Sequence, residues 1–194
     1  MHFDLPHRSR NTALNKALGQ SLPVPRMVNT HPHLHPHPRH LHHDDFSLLS
    51  DAGIGKAFAT KLAQSGFNVA LVSRSKDKLT KVADEISKTS PSSQTLVIPC
   101  DAAIPKSPDV VVKALGDRDI RVLINNVGVS NAIPTELADM EEAEIARIIA
   151  VNATFNAQLS RLLIPTLKQE KASRHSAIVN VSSVAGIVSV PLQV

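Results

Sequence analysis

No tyrosine and no tryptophan occur among the 194 residues, and phenylalanine occurs only five times. The chain therefore offers no phenol to hand on a proton, and no aromatic platform on which nucleic-acid bases could stack. Its core must be built from Val, Ile, Leu and Ala, the residues that fill the central strands of parallel sheets. The single cysteine, Cys100, excludes an internal disulfide and suits a reducing compartment. It reads as a small buried apolar residue at a strand end. No stretch reaches the roughly 18 apolar residues of a membrane-spanning helix, and the N-terminus MHFDLPHRSR lacks the apolar centre of a secretory signal. On these grounds alone the chain reads as soluble and cytoplasmic.

The formal charge of +4 is modest and dispersed: residues 1–45 hold five Lys/Arg against three acids, and the rest hold sixteen against fourteen. Without a basic stripe, nucleic acid is not an expected partner. Two unlike parts meet near Asp44. Residues 1–45 are rich in Pro and His, too poor in apolar surface to offset ordering entropy, and are expected to form a disordered extension. Within it, His31 to His43 carries seven histidines in thirteen residues. Alternating proline keeps that run extended and gives no fixed ligand geometry, so no metal site is expected.

From Gly53 onward, helix and strand patterns alternate. Helices are expected over Lys56 to Ser65, stopped by Gly66, over Lys76 to Lys88, and as a short piece within Pro105 to Leu115. A long helix is expected over Asp139 to Leu167, with a bend or end near Pro165. Strands are expected at Asn68 to Ser73, Gln94 to Ile98, Ile120 to Val127 and Ala177 to Ser182. Such alternation predicts an α/β fold, a doubly wound parallel sheet of Rossmann type with ligands outside the carboxyl ends of its strands.

The motifs fall at those ends. GIGKAFA (Gly53 to Ala59) opens a helix, where unpaired N–H groups and the helix dipole favour a phosphate; ordinary turn glycines are the alternative. Arg74 follows Ser73 at the end of NVALVS, about twenty residues beyond the glycine turn, where a guanidinium accommodates a ribose 2′-phosphate. With Lys56 in the turn this favours NADP(H); a solvated loop arginine is the alternative. Asp101 closes IPCDAA, either against a ligand or as the opening of a turn. VLINNVG (Val122 to Gly128) ends a buried strand in two amides and a glycine. VNAT places Asn152 on the long helix, where an amide on an apolar face needs a partner. IVNVSSVAG (Ile178 to Gly186) ends a strand in Ser182 and Ser183.

Together these motifs resemble the short-chain dehydrogenase/reductases, and several stretches between Ser50 and Val194 resemble their very-long-chain 3-oxoacyl-CoA reductase branch, related to steroid 17-beta dehydrogenases. The resemblance implies a partial NAD(P)-binding domain over residues 46–194. Gly53, Ile54, Gly55, Ser73, Arg74, Asp101, Asn126 and Gly128 would border the cofactor, and Asn125 would be mainly structural. Ser183, rather than Ser182, would hydrogen-bond the substrate carbonyl, and Asn152 would position a water in the proton relay. It also implies NADPH-dependent reduction of an acyl-CoA or other ketone, fatty-acid elongation and residence at the endoplasmic reticulum. A homo-oligomeric state is left open.

Two departures qualify this. The family's S-x(12)-Y-x-x-x-K pattern places its Tyr and Lys beyond Val194, and His175 precedes the last strand rather than following it. The 194 residues are therefore expected to be inactive, a reductase truncated at both ends. A non-catalytic dinucleotide- or partner-binding fragment is the alternative. The alignment also sets Leu48 and Leu49 at the Thr and first Gly of the phosphate turn, where leucine lacks glycine's freedom. Either Phe46 to Leu49 makes a stunted first strand, or the sheet lacks its central member.

Overall fold

Five parallel strands in the order β3-β2-β1-β4-β5 form the sheet: β1 (Asp45–Leu49), β2 (Asn68–Ser73), β3 (Thr95–Pro99), β4 (Asp119–Asn125) and β5 (Ala177–Asn180). They come from a computed structural model that describes residues 45–49, 53–169, 175–188 and 191–192. The Pro/His-rich extension expected over 1–45 lies outside these, apart from Asp45.

The first of the two alternatives for the opening strand is the one found. Leu48 and Leu49 lie inside β1, in register with Ala70 and Leu71 of β2, and Leu48 also faces Leu123 of β4. A five-residue strand of unpromising composition holds the centre because ordered neighbours pair with it on both sides. The pairing with β4 shifts register between Phe46 and Ser47, as at a β-bulge.

The helices are α1 (Gly53–Gln64), α2 (Lys76–Thr89), α3 (Ser107–Leu115), α4 (Glu142–Ile149) and α5 (Asn156–Leu167). The local chemistry explains their limits. At the end of α1, Gly66 takes φ +90, and the N–H groups of Gly66 and Phe67 bond back to Ala63 and Leu62, closing the helix as a left-handed glycine does. At the start of α2, the Ser75 hydroxyl accepts from the Lys78 N–H at 3.4 Å, an N-cap beside Asp77 in the first turn.

Strand alternation sends successive side chains to opposite faces. Val69 and Leu71 pack with Ala59, Ala63, Leu79, Val82 and Ile86 of α1 and α2. Ala70, between them, packs with Val111, Leu115, Leu159 and Leu163 of α3 and α5. Helices therefore cover both faces, as in a doubly wound sheet. The outer strand β5 is the exception: Ala177, Ile178 and Asn180 are exposed.

The single long helix expected over Asp139 to Leu167 is corrected. A short 3₁₀ turn (Leu137–Asp139) precedes α4, and a π-helical segment (Ala150–Phe155) joins α4 to α5. The irregularity sits there and not at Pro165, which is accommodated in the last turn of α5. Its cause is Asn156, whose Nδ2 donates to the Asn152 carbonyl at 3.0 Å and the Val151 carbonyl at 3.5 Å. A side chain entering the backbone ladder is a known origin of such bulges.

Candidate functional site

The carboxyl ends of β2, β3 and β4 open onto a cavity of about 390 Å³. The residues at or just beyond each strand end line it: Ser73, Arg74 and Ser75 from β2, Cys100 and Asp101 from β3, and Asn125 to Gly128 from β4. Lys78 reaches the wall from the first turn of α2, and Arg147 from α4. The cavity thus gathers Ser73, Arg74, Asp101, Asn126 and Gly128. Gly53, Ile54 and Gly55, at the N-terminus of α1, are not on its wall, nor are Asn152 and Ser183.

Arg74 is exposed and, like Lys78, lines the cavity. Asp101 opens a turn: its Oδ1 accepts from the Ala103 N–H at 2.9 Å, while the residue still faces the cavity. The turn-opening alternative is the one observed. Gly128 is informative through what does not constrain it. A Cβ added there would meet nothing nearer than Asn152 Oδ1, at 3.6 Å, an ordinary contact. The packing of the chain itself does not demand glycine here.

Two amides build the floor. Asn125, buried at the end of β4, donates from Nδ2 to Asn180 Oδ1 at 2.7 Å and to Ser160 Oγ at 3.0 Å. It ties β4 to β5 and to α5, the structural part expected of it. Asn156 also donates to the Val127 carbonyl at 3.4 Å. Among the described residues the side-chain oxygens of Asn125 and Asn156 are buried without a hydrogen-bond partner.

Asn152 lies in the π-helical segment and clamps the loop after Gly128. Its Oδ1 accepts from the Val129 N–H at 2.7 Å, and its Nδ2 donates to the Val129 carbonyl at 2.8 Å. Both halves of the amide are thereby used on one residue's backbone. Arg147 holds the next residue: it donates to the Ser130 carbonyl at 3.3 Å and makes a two-pronged pair with Glu144, at 2.8 and 2.7 Å. The hydrogen bonds from Arg147 hold the Glu144 carboxyl below its ordinary range, and that carboxylate raises the guanidinium in turn. Burial pushes the Cys100 thiol up, and the Asp101 carboxylate adds to the effect against an opposing hydrogen bond with Ser107.

Ser183 follows β5 on an exposed turn, Val184–Gly186, which its Oγ caps by accepting from the Ala185 N–H at 3.2 Å. A hydroxyl that accepts one bond keeps its own proton to give. His175 is exposed ahead of β5, as expected of a surface histidine. Residue-type reasoning missed Lys78, Glu144, Arg147 and Asn156. Only Asn156 had a legible signal: it stands one helical turn after Asn152, a second amide on the same apolar helix. No helix among the described residues is long and apolar enough to cross a membrane.

Comparison with known proteins shows the family. The short chain dehydrogenase family matches residues 50–194. A very-long-chain 3-oxoacyl-CoA reductase of Emericella nidulans is 39% identical over 142 residues, 72% of this chain and 40% of the relative. The chain thus spans less than half the length of the curated relatives it matches. Among solved structures, a metagenomic short-chain oxidoreductase in complex with NADP is 29% identical with a TM-score of 0.68, over 77% of this chain and 66% of that one. A 7beta-hydroxysteroid dehydrogenase is 26% identical with a TM-score of 0.67, over 77% and 56%.

Proposed function

Because this chain belongs to the short-chain dehydrogenase family, we propose that its cavity takes NADP(H) and serves reduction of the ketone of a 3-oxoacyl-CoA or related substrate. One observation carries the reading: Arg74, Asp101, Asn126 and Gly128, far apart in sequence, converge on one cavity at the carboxyl ends of three strands of the sheet. Arg74, seconded by Lys78 and the Ser73 hydroxyl, suits a ribose 2′-phosphate, since a guanidinium offers several donors to one anion. Asp101 suits an adenine amino group. Gly53, Ile54 and Gly55, at the start of α1, suit a pyrophosphate approaching a helix N-terminus.

When bound, NADPH supplies the hydride. The chain's own part is orientation and hydrogen bonding. The Ser183 hydroxyl donates to the ketone oxygen and favours the charge that develops there. Asn152 holds the backbone of Val129, which lines the cavity. Fatty-acid elongation and residence at the endoplasmic reticulum, which the resemblance implies, belong to the same proposal.

A second reading is favoured by the composition. The alkoxide formed by hydride addition needs a proton donor, and the 194 residues contain no tyrosine. A polypeptide of this sequence binds the nucleotide but turns over slowly or not at all.

The lone cysteine tests cofactor binding. Cys100 lines the cavity, so NADPH protects it from alkylation by a maleimide, read by intact mass. Arg74→Ala weakens that protection roughly 10- to 100-fold for NADPH, the loss of a charge-assisted bond of about 1.5–3 kcal/mol, and leaves NADH unaffected. Equal protection by both nucleotides in wild type and variant would refute the assignment. Turnover of a 3-oxoacyl-CoA by the 194-residue polypeptide would refute the second reading alone.

A further inference from the structure

We propose that Asn156 is a positioning residue for the nucleotide, holding the loop after β4 and the Asn152 clamp in the geometry that shapes the cavity. The proposal rests on the nucleotide reading above and deepens it. Asn156 opens α5 and lines the cavity. Its helical neighbours on that wall, Val151, Phe155 and Leu159, are buried and apolar. An apolar side chain would suit that company better, so the amide calls for an explanation.

One nitrogen ties three carbonyls together. Nδ2 donates to the Asn152 carbonyl at 3.0 Å, the Val127 carbonyl at 3.4 Å and the Val151 carbonyl at 3.5 Å. Two of these belong to the π-helical segment and the third to the stretch Asn125 to Gly128 on the cavity wall. The Asn156 backbone N–H meanwhile turns to the Ala153 carbonyl. A π-turn closes over one residue more than an α-turn. Without that residue, the chain before and after it would be offset by roughly 100° about the helix axis. Asn152 can thus reach Val129 while Leu159 and Leu163 stay in the core.

Stability alone would not select this arrangement. Two amide hydrogens are shared among three carbonyls, and Oδ1 is buried with no partner among the described residues. A buried acceptor left without a donor is destabilising. A leucine of similar size would remove that acceptor and let α5 extend regularly. It could not hold Val127 to the π-helical segment. What gains from that tie is the cavity, since Val127 lies between Asn126 and Gly128, and Val129 is held by Asn152.

The test compares the wild-type 194-residue polypeptide with Asn156→Leu and Asn156→Ala in three measurements: maleimide protection of Cys100 by NADPH, thermal melting, and amide exchange at Val129. Both variants are expected to weaken protection by roughly tenfold, the equivalent of about one net hydrogen bond. Val129 exchange quickens in both, although Asn152 is untouched. Asn156→Leu is expected to melt no lower than wild type. Asn156→Ala adds no bulk to the wall, so its loss of protection cannot come from blockage. Unchanged protection or unchanged Val129 exchange in both variants overturns the proposal. So does protection lost only in step with a lower melting temperature of Asn156→Leu, which would make Asn156 an ordinary structural residue. Absence of NADPH protection in wild type would instead overturn the cofactor reading, and Val129 exchange would then decide by itself whether Asn156 holds the loop.

Discussion

Replacing Asn152 by alanine removes both hydrogen bonds that hold the Val129 backbone, at 2.7 and 2.8 Å. A typical intramolecular hydrogen bond contributes about 0.5–1.5 kcal/mol net, so the pair sets an upper bound of about 3 kcal/mol. Asn152 is exposed, and water reoccupies much of what the amide leaves. The expected loss is therefore in the lower half, about 1–1.5 kcal/mol, or roughly 2–6 °C in melting temperature for a chain of this size. Asn152→Asp separates the two bonds. Its carboxylate still accepts from the Val129 N–H, but its second oxygen now faces the Val129 carbonyl, where a donor stood. The ionised form is disfavoured and the aspartate pKa rises above its usual value near 4. The deficit of this variant is then complete above that raised pKa and shrinks as pH falls through it, because the protonated carboxyl donates again. Thermal melts across pH, with amide exchange at Val129 as the local probe, measure both effects. Equal stability of wild type and Asn152→Ala, with unchanged Val129 exchange, would refute the clamp.

The buried pair of Arg121 and Asp119, 2.8 Å apart with side chains only 2% and 8% exposed, gives a larger effect. Asp119→Ala removes one charge-assisted hydrogen bond from a buried guanidinium and is expected to cost about 1.5–3 kcal/mol in a denaturant titration. For Glu144, the carboxyl held below its ordinary value of 4.5 by Arg147 contributes stability above that value and loses it as pH falls through the lowered one. Wild type and Glu144→Gln should therefore differ in melting temperature near neutrality and converge in acid; a difference that persists there would contradict the pairing.

How much of this could be read from the residues depended on what set each element. β2 was legible to the residue, because NVALVS is a compact apolar run between a left-handed glycine and a serine–arginine turn. The stop of α1 at Gly66 and the buried stripe Leu79, Val82 and Ile86 were equally plain, being local in origin. β1 was not, since nothing in DFSLL specifies a central strand; its neighbours β2 and β4 do. The π-helical segment escaped because its cause is a tertiary one: Asn156 reaches the Val127 carbonyl as well as its own helix. In the site, Arg74 was placed by its position after a strand, while Asp101, Asn126 and Gly128 came from the family resemblance of their motifs. Lys78 and Arg147 sit on helices, where a cation ordinarily signals no more than a solvated face.

The strand order has a consequence for how the molecule comes together. β2 and β3 form an adjoining pair from one continuous stretch of chain, whereas Asp45 must wait for Asp119, its partner in β4. Ser73, Arg74 and Asp101 thus belong to a half that can assemble early, and Asn126 and Gly128 to a half that docks onto it later. A nucleotide lying across the seam would touch both halves and none of the separated pieces. At a hundredfold excess over its dissociation constant, such a ligand would contribute about 2.7 kcal/mol to the joined state.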